Sequence, residues 1–376
     1  MLSAQSLVRP AYLQKPTQNS IIIRWRTDVP TDSRVQYGSS PTNLSQTVDV
    51  SGSFTDHEVA LTGLSTNTVY YYSIGTTTQQ LAGGDNNHQF RTFPSTFSTP
   101  RMKAWVIGDF GKRNSEQRQV ADSWAIHPEF EDTDIWLWLG DNAYQDGTDN
   151  DYTEKVFDSI NGYGPMWPRI PFLPTPGNHD YLSIQPPVLS IDPVNHSGAY
   201  YDAVNVYTNA EAGGTPSGME AFYSYDYGNV HFLSINSELG TIVGSSNDWI
   251  GTYPLFNIFA SPFTSSPLTN WLHQDLSSTT KRWKVAYWHQ PPFTDGSHET
   301  GTFWEIFMEA MRNNIIPILE QYGVDLVLCG HSHVYERSYL IKGHYDDPNT
   351  WDPNTMLVDG GSGTDSLGEA YVKDLS

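Results

Sequence analysis

The sequence predicts two units: an all-β sandwich over residues 1–95, then an α/β domain, a layered β-sheet sandwich flanked by helices, over residues 101–376. Three observations carry this. Short β-type runs separated by turn residues recur up to Phe93. A Pro, Ser and Thr stretch from Thr92 to Pro100 then reads as a linker. Beyond it, continuous apolar runs alternate with helix-period segments, as in strands buried on both faces with helices laid over them.

In the first unit the strand-like runs are Ile21–Trp25, Ser33–Gly38, Glu58–Leu61, Val69–Ile74 and Gln89–Phe93. They are rich in β-branched and aromatic residues and bounded by turn formers. The stretch Leu61 to Tyr72 resembles the loop and strand of a fibronectin type III module, where a leucine and a tyrosine pin one corner of the sandwich. That resemblance makes Trp25 the core tryptophan. In the second unit Trp105–Ile107 and Ile135–Leu139 read as buried strands. Ser115 to His127 reads as a helix, capped by Ser115, with Val120, Ala121, Trp124 and Ala125 on one side. Gln185 to Ser265 is loop-heavy, except for a strand at Val230–Ile235. Ser266-Pro267 opens a second helix through Trp271, Leu272 and Leu276. A third runs from Trp304 to Tyr322, with Pro317 as its kink or break, and feeds a strand at Val324–Leu328.

Charge narrows the function classes. The chain has 42 acids against 20 bases, a net charge of −22. No basic stripe is available to neutralise nucleic-acid phosphates, and no polybasic segment to hold a membrane. No apolar stretch is long enough for a transmembrane helix. The single cysteine, Cys329, rules out an intrachain disulfide and reads as a buried structural thiol. Met1 to Gln5 show no signal-peptide pattern. Either the protein stays inside or Met1 replaces a removed signal; the low Lys content and the Ser, Thr, Asn and Tyr richness favour a secreted, extracellular or periplasmic protein. Asn43-Leu44-Ser45 and Asn195-His196-Ser197 are glycosylation sequons.

Six short segments combine metal-type donors with apolar runs: Gly108-Asp109-Phe110-Gly111, Gly140-Asp141-Asn142-Ala143-Tyr144, Gly177-Asn178-His179-Asp180, Trp288-His289, Gly330-His331-Ser332-His333 and Glu336-Arg337. Each alone has an ordinary explanation as a turn, cap or packed aromatic. In series, at the carboxyl ends of strands, they can converge on one rim. The donors are oxygen and imidazole without thiolate, a set for iron, manganese or zinc. A carboxylate can bridge two cations, and two cations can clamp a phosphate and activate water. An acidic protein needs such a local positive centre to hold a phosphoester.

Taken in order, the series resembles the metallophosphoesterase (calcineurin-like) superfamily, and within it the purple acid phosphatase branch. The distinguishing position is Tyr144, three residues past Asp141. The N-terminal module also resembles that of the larger members of the branch. The resemblance implies a ferric site of Asp109, Tyr144 and His333, a divalent site (Fe, Zn or Mn) of Asn178, His289 and His331, and Asp141 as the bridge. It makes His179 and His298 the catalytic and substrate-binding histidines. Glu299 stands where the family has a second histidine, a departure that touches substrate binding. Glu336 and Arg337 are expected to orient the His333 loop. The remaining histidines, including His57, His231 and His344, read as packed or surface residues. The expected function is hydrolysis of phosphate monoesters by a binuclear centre, with metal-bound hydroxide as nucleophile. The alternatives are a phosphodiesterase or nucleotide-selective phosphohydrolase on the same centre, and a non-catalytic binding or adhesion protein. The expected partners are small phosphoesters, with neither nucleic acid nor membrane, and a homodimer is left open.

Overall fold

The computed structural model describes residues 5–158, 160, 162–181, 198–238, 267–298, 306–364 and 368–372. The N-terminal unit is an antiparallel assembly of β1 (Leu7–Gln14), β2 (Ser20–Gly38), β3 (Gln46–Thr62), β4 (Val69–Gly75), β5 (Gln80–Gly83) and β6 (Gln89–Arg91). The runs Ile21–Trp25 and Ser33–Gly38, expected as separate strands, are two halves of β2. Its register with β3 shifts between Arg26 and Ser33, around Pro30. The first half pairs with β1 and the end of β3, the second with β4 and the start of β3. Such irregularities let a strand bend from one layer into the other. Both halves contribute to one core, which joins Leu13, Ile21, Ile23, Trp25 and Val59 from the layer of the first half to Val35, Tyr72 and Ile74 from that of the second. At one corner Leu64 is buried, and the Tyr70 hydroxyl accepts the Ser65 N–H at 2.9 Å.

Two larger sheets build the second unit, beside a short antiparallel pair of Leu340–Ile341 with Leu357–Asp359. One is parallel, in the order β7 (Ala104–Ile107), β8 (Ile135–Leu139), β9 (Phe172–Thr175). The other runs β10 (Tyr223–Tyr227), β11 (Val230–Ser234), β12 (Trp283–Trp288), β13 (Leu326–Cys329), parallel except for the β10–β11 hairpin. Side chains alternate across β11 and β12. Phe232 and Tyr287 join Trp136, Trp138, Trp167 and Phe172 in a core between the sheets. Leu233, Ala286 and Trp288 join Leu268, Leu272, Leu276 and Leu319 in a second core under the helices. The layered α/β architecture is therefore present as expected. Cys329 is partly buried against the second core. Tyr12 and Phe93 of the N-terminal unit lie within the first of these cores.

Helix details differ from expectation in two places. The helix Ser115–Ala125 is capped by Asn114, whose side chain accepts the Gln117 N–H, rather than by Ser115. Val120 faces solvent, while Gln117 and Ala121 are buried and Trp124 stacks on Trp105. Pro317 is the expected break: the helical run from Ile306 to Gln321 opens into a wide turn at Met311–Ile315, and Pro317 lies in the first turn of the stretch Ile316–Gln321 that follows. The second expected helix is present at Pro267–Ser278. Ser266 and Trp304, and residues 185–197 and 239–265 of the expected loop-heavy stretch, lie outside the described residues. Among the described residues no helix is long and apolar enough to cross a membrane.

Candidate metal centre

The parallel strands aim their carboxyl ends at one rim. Asp109 follows β7, Asp141 follows β8, Asn178 and His179 follow β9, His289 follows β12, and His331 and His333 follow β13. The turns are tight. Asp109, Asp141, His331 and His333 have φ of 58°, 48°, 71° and 55°, in the left-handed region that non-glycine residues avoid. Each such residue costs on the order of 1–3 kcal/mol, which surrounding contacts must offset. Gly330 permits one such close approach: a Cβ there would lie 2.6 Å from the Leu139 carbonyl and 2.8 Å from Asp109 Oδ2. In its place, the His331 N–H donates to Asp109 Oδ2 at 2.8 Å.

The side chains converge as two groups. In the first, Tyr144 Oη lies 3.0 Å from Asp109 Oδ1, 3.1 Å from Asp141 Oδ2 and 3.1 Å from His333 Nε2. In the second, His289 Nε2 lies 3.3 Å from Asp141 Oδ2, 3.2 Å from Asn178 Oδ1 and 3.2 Å from His331 Nδ1. Asp141 Oδ2 belongs to both. Its other oxygen accepts the His179 N–H at 2.7 Å. The ligand-type atoms of Asp141, His289 and His331 all lie within 4.8 Å of one another, and all three residues are buried. His333, with a side chain 36% exposed, marks the open side.

This geometry suits cations. Tyr144 has one hydroxyl proton and three partner atoms at hydrogen-bond distance, two of them carboxylate oxygens. His289 Nδ1 sits 2.8 Å from the Leu139 carbonyl. The proton is therefore held at Nδ1 and the lone pair of Nε2 turned toward the Asp141 and Asn178 oxygens, the outer-shell arrangement of a ligating histidine. Without a cation, protons must fill both centres. Burial raises the Tyr144 phenol, and the Asp109 and Asp141 carboxylates raise it further. Burial opposes charge on His289, yet the Asp141 carboxylate outweighs it and pushes the imidazole up to about 10. Burial likewise works against ionised Asp141, and the His289 charge overcomes it to hold the carboxyl low.

Residues 102–335 match the calcineurin-like phosphoesterase family, and residues 9–92 match the N-terminal domain of purple acid phosphatases. The chain belongs to the calcineurin-like phosphoesterase family. Its relatives include purple acid phosphatase 15 of Arabidopsis thaliana, 26% identical over 78% of this chain and 51% of that protein. Purple acid phosphatase 22 of the same plant is 24% identical over 85% of this chain and 62% of its own length. The chain thus spans roughly half to two thirds of these curated relatives. Among solved structures, PhoD superposes with a TM-score of 0.60 at 14% identity, covering 88% of this chain and 72% of PhoD, a likeness of fold.

Around this candidate centre, the His179 ring packs 4.5 Å from the Tyr144 ring, with Nδ1 2.6 Å from the Gln145 carbonyl and Nε2 3.9 Å from Asp141 Oδ2. His298 stacks on His331 with ring centroids 4.1 Å apart. Glu299 lies outside the described residues. Glu336 accepts from the Thr294 hydroxyl and, at 2.9 Å, from the Asp295 N–H, so it ties the His333 loop to the loop bearing His298. Arg337 does not share this role. Its guanidinium lies over the Tyr371 ring, 5.9 Å from the centroid.

Two buried carboxyls behind the rim were not anticipated. Asp180 accepts from Gly177 N at 2.8 Å, Asn142 N at 3.1 Å, Asn142 Nδ2 at 2.9 Å and the Tyr152 hydroxyl at 2.6 Å. It joins the loop of Asp141 to the loop of Asn178. Its carboxyl is raised to about 6, by burial first and then by the Asp141 charge. Glu238, beyond β11, is raised to about 7 by burial and lies 3.4 Å from Gln290 Nε2. The available signal for Asp180 was its place directly after His179.

Proposed function

We propose that this chain hydrolyses phosphate monoesters at a binuclear metal centre. The convergence of Tyr144 Oη, Asp109 Oδ1, Asp141 Oδ2 and His333 Nε2 within 3.0–3.3 Å supports it most directly, because one proton cannot serve that many partners. Asp109, Tyr144 and His333 would hold Fe(III). Asn178, His289 and His331 would hold the divalent ion (Fe, Zn or Mn), and Asp141 would bridge the two. Cations held there would polarise phosphoryl oxygens and acidify water. His179 and His298, on the rim, would bind the phosphate and help protonate the leaving oxygen. The Leu139 carbonyl would fix the His289 tautomer, and Gln145 that of His179.

The proposal extends to the rest of the chain. Residues 1–95 form a fibronectin type III-like support, consistent with the Leu64 and Tyr70 corner, and 101–376 the catalytic domain. Substrates are small phosphoesters rather than nucleic acid, which a net charge of −22 repels. The protein works outside the cytoplasm, alone or as a homodimer. The test is Asp141→Ala. Its expected outcome is loss of turnover of an aryl phosphomonoester together with loss of both metals. Full turnover with two metals per chain would refute the assignment, and faster turnover of a diester than a monoester in the parent would refute the substrate class.

A further inference from the structure

The N-terminal unit reaches the candidate centre through one short turn. Arg9 of β1 is 1% exposed, although it is a cation on a β-sandwich strand. Its Nη2 lies 2.7 Å from Asp149 Oδ1 and 2.8 Å from Thr153 Oγ1, and its Nε lies 2.9 Å from Thr153 Oγ1. Arg26 of β2 grips the same carboxylate, with Nη1 2.6 Å from Oδ2 and Nη2 2.9 Å from Oδ1. Asp149 therefore receives two guanidinium groups from the other unit. It opens a turn capped by Thr148, whose hydroxyl accepts the Asp151 N–H at 3.1 Å.

The far side of that turn holds the metal loops. Tyr152, fully buried, donates its hydroxyl to Asp180 Oδ1 at 2.6 Å. Through its other bonds Asp180 binds Asn142, next to Asp141, and Gly177, next to Asn178. Lys155 pairs with Asp151 at 2.6 Å and donates to the main-chain carbonyl of Tyr144. Asp149 and Thr153 thus face the arginines, while Tyr152 and Lys155 reach two of the loops that carry the candidate ligands, that of Asp141 and Tyr144 and that of Asn178.

We propose that the N-terminal unit is a positioning element of the metal centre. Arg9 and Arg26 set the turn from Asp149 to Val156, and the turn sets the loop of Asp141 and Tyr144 and the loop of Asn178. This rests on the reading of those residues as metal ligands. Partners of ligating groups matter because a loop free to shift holds its donors at the wrong distance. Removing one typically weakens metal binding about 10–100-fold.

The test uses the full chain loaded with zinc(II) and two variants, Asp149→Asn and Tyr152→Phe. Tyr152→Phe loses one hydroxyl and keeps the ring, so it guards against a folding failure of the first. Asp49→Asn, which alters an exposed pair with Arg34 within the N-terminal unit, is the control. Zinc release to a colorimetric chelator is timed at a temperature where circular dichroism shows every variant folded. Release is expected to be about tenfold faster in both variants and unchanged in the control. The double variant should match the more severe single one, because the two contacts act in series. Wild-type release rates in both folded variants would overturn the proposal while leaving the metal site standing. A parent chain that takes up no zinc would remove both.

Discussion

Replacing Gly330 by alanine should disable the centre without unfolding the protein. A Cβ at this position would lie 2.6 Å from the Leu139 carbonyl, 2.8 Å from Asp109 Oδ2 and 3.1 Å from His289 Nδ1, where ordinary contact begins at 3.4 Å. The nearest atom is backbone and cannot rotate away. Relief of about 0.8 Å must therefore come from moving β13 and His331, or from displacing Asp109 and the carbonyl that orients His289. Misplacing reacting groups by about 1 Å can cost on the order of 100-fold in rate, or roughly 2.7 kcal/mol of transition-state stabilisation. The assay compares kcat/KM for an aryl phosphomonoester and metal content between parent, Gly330→Ala and Gly360→Ala. The nearest atom to a Cβ at Gly360 is Leu357 Cδ2 at 3.6 Å, so that variant reports on any general effect of Gly→Ala. The expected result is about a 100-fold loss with Gly330→Ala alone. Parent-like activity with two metals bound in Gly330→Ala would refute the view that close loop approach builds the site.

Two further outcomes are expected. His231 is fully buried between Asp226 at 2.9 Å and Asp275 at 2.6 Å. Burial opposes its charge, but hydrogen bonds to the two carboxylates outweigh burial and push its pKa up to about 9. A folded pKa above the ordinary 6.5 stabilises fully below about 6.5, and that stabilisation is lost as pH rises through about 9. Chemical denaturation should show on the order of 3 kcal/mol less stability attributable to this group at about pH 10 than at about pH 6. A His231→Asn protein with the same pH slope as the parent would contradict it. His179→Ala should lower kcat by roughly 100-fold or more while both metals stay bound, since the ring borders Tyr144 without entering either group of donors. Loss of metal in that variant would instead make His179 a ligand.

The candidate ligands were legible because each follows an apolar strand closely, in a local pattern that survives without knowing the partner. Asp109, Asp141 and His331 each directly follow a glycine, and strand-end geometry does the rest. Strand β1 was not legible. Arg9-Pro10 breaks the apolar alternation, and Arg9 can be buried only because Asp149, far along the chain, receives it. The role of Asp180 was hidden for the same reason, its partners Asn142 and Tyr152 lying in another loop. The two halves of β2 read as separate strands because Pro30 interrupts the local pattern, whereas the pairing of both halves with one strand, β3, across a register shift is a property of the sheet. Asn114 in place of Ser115 as the helix cap shows the limit of adjacent capping residues, which only the side-chain direction resolves.

The central claim, two unequal cations sharing Asp141 with a phenolate on one of them, is tested most directly by the metal content and visible spectrum of the purified protein. Two metals per chain, one of them iron, with a broad visible band that vanishes in Tyr144→Phe, is the predicted result. A colourless protein holding two zinc or two manganese ions would contradict the iron–phenolate assignment, and a metal-free protein that still hydrolyses phosphomonoesters would contradict the account as a whole.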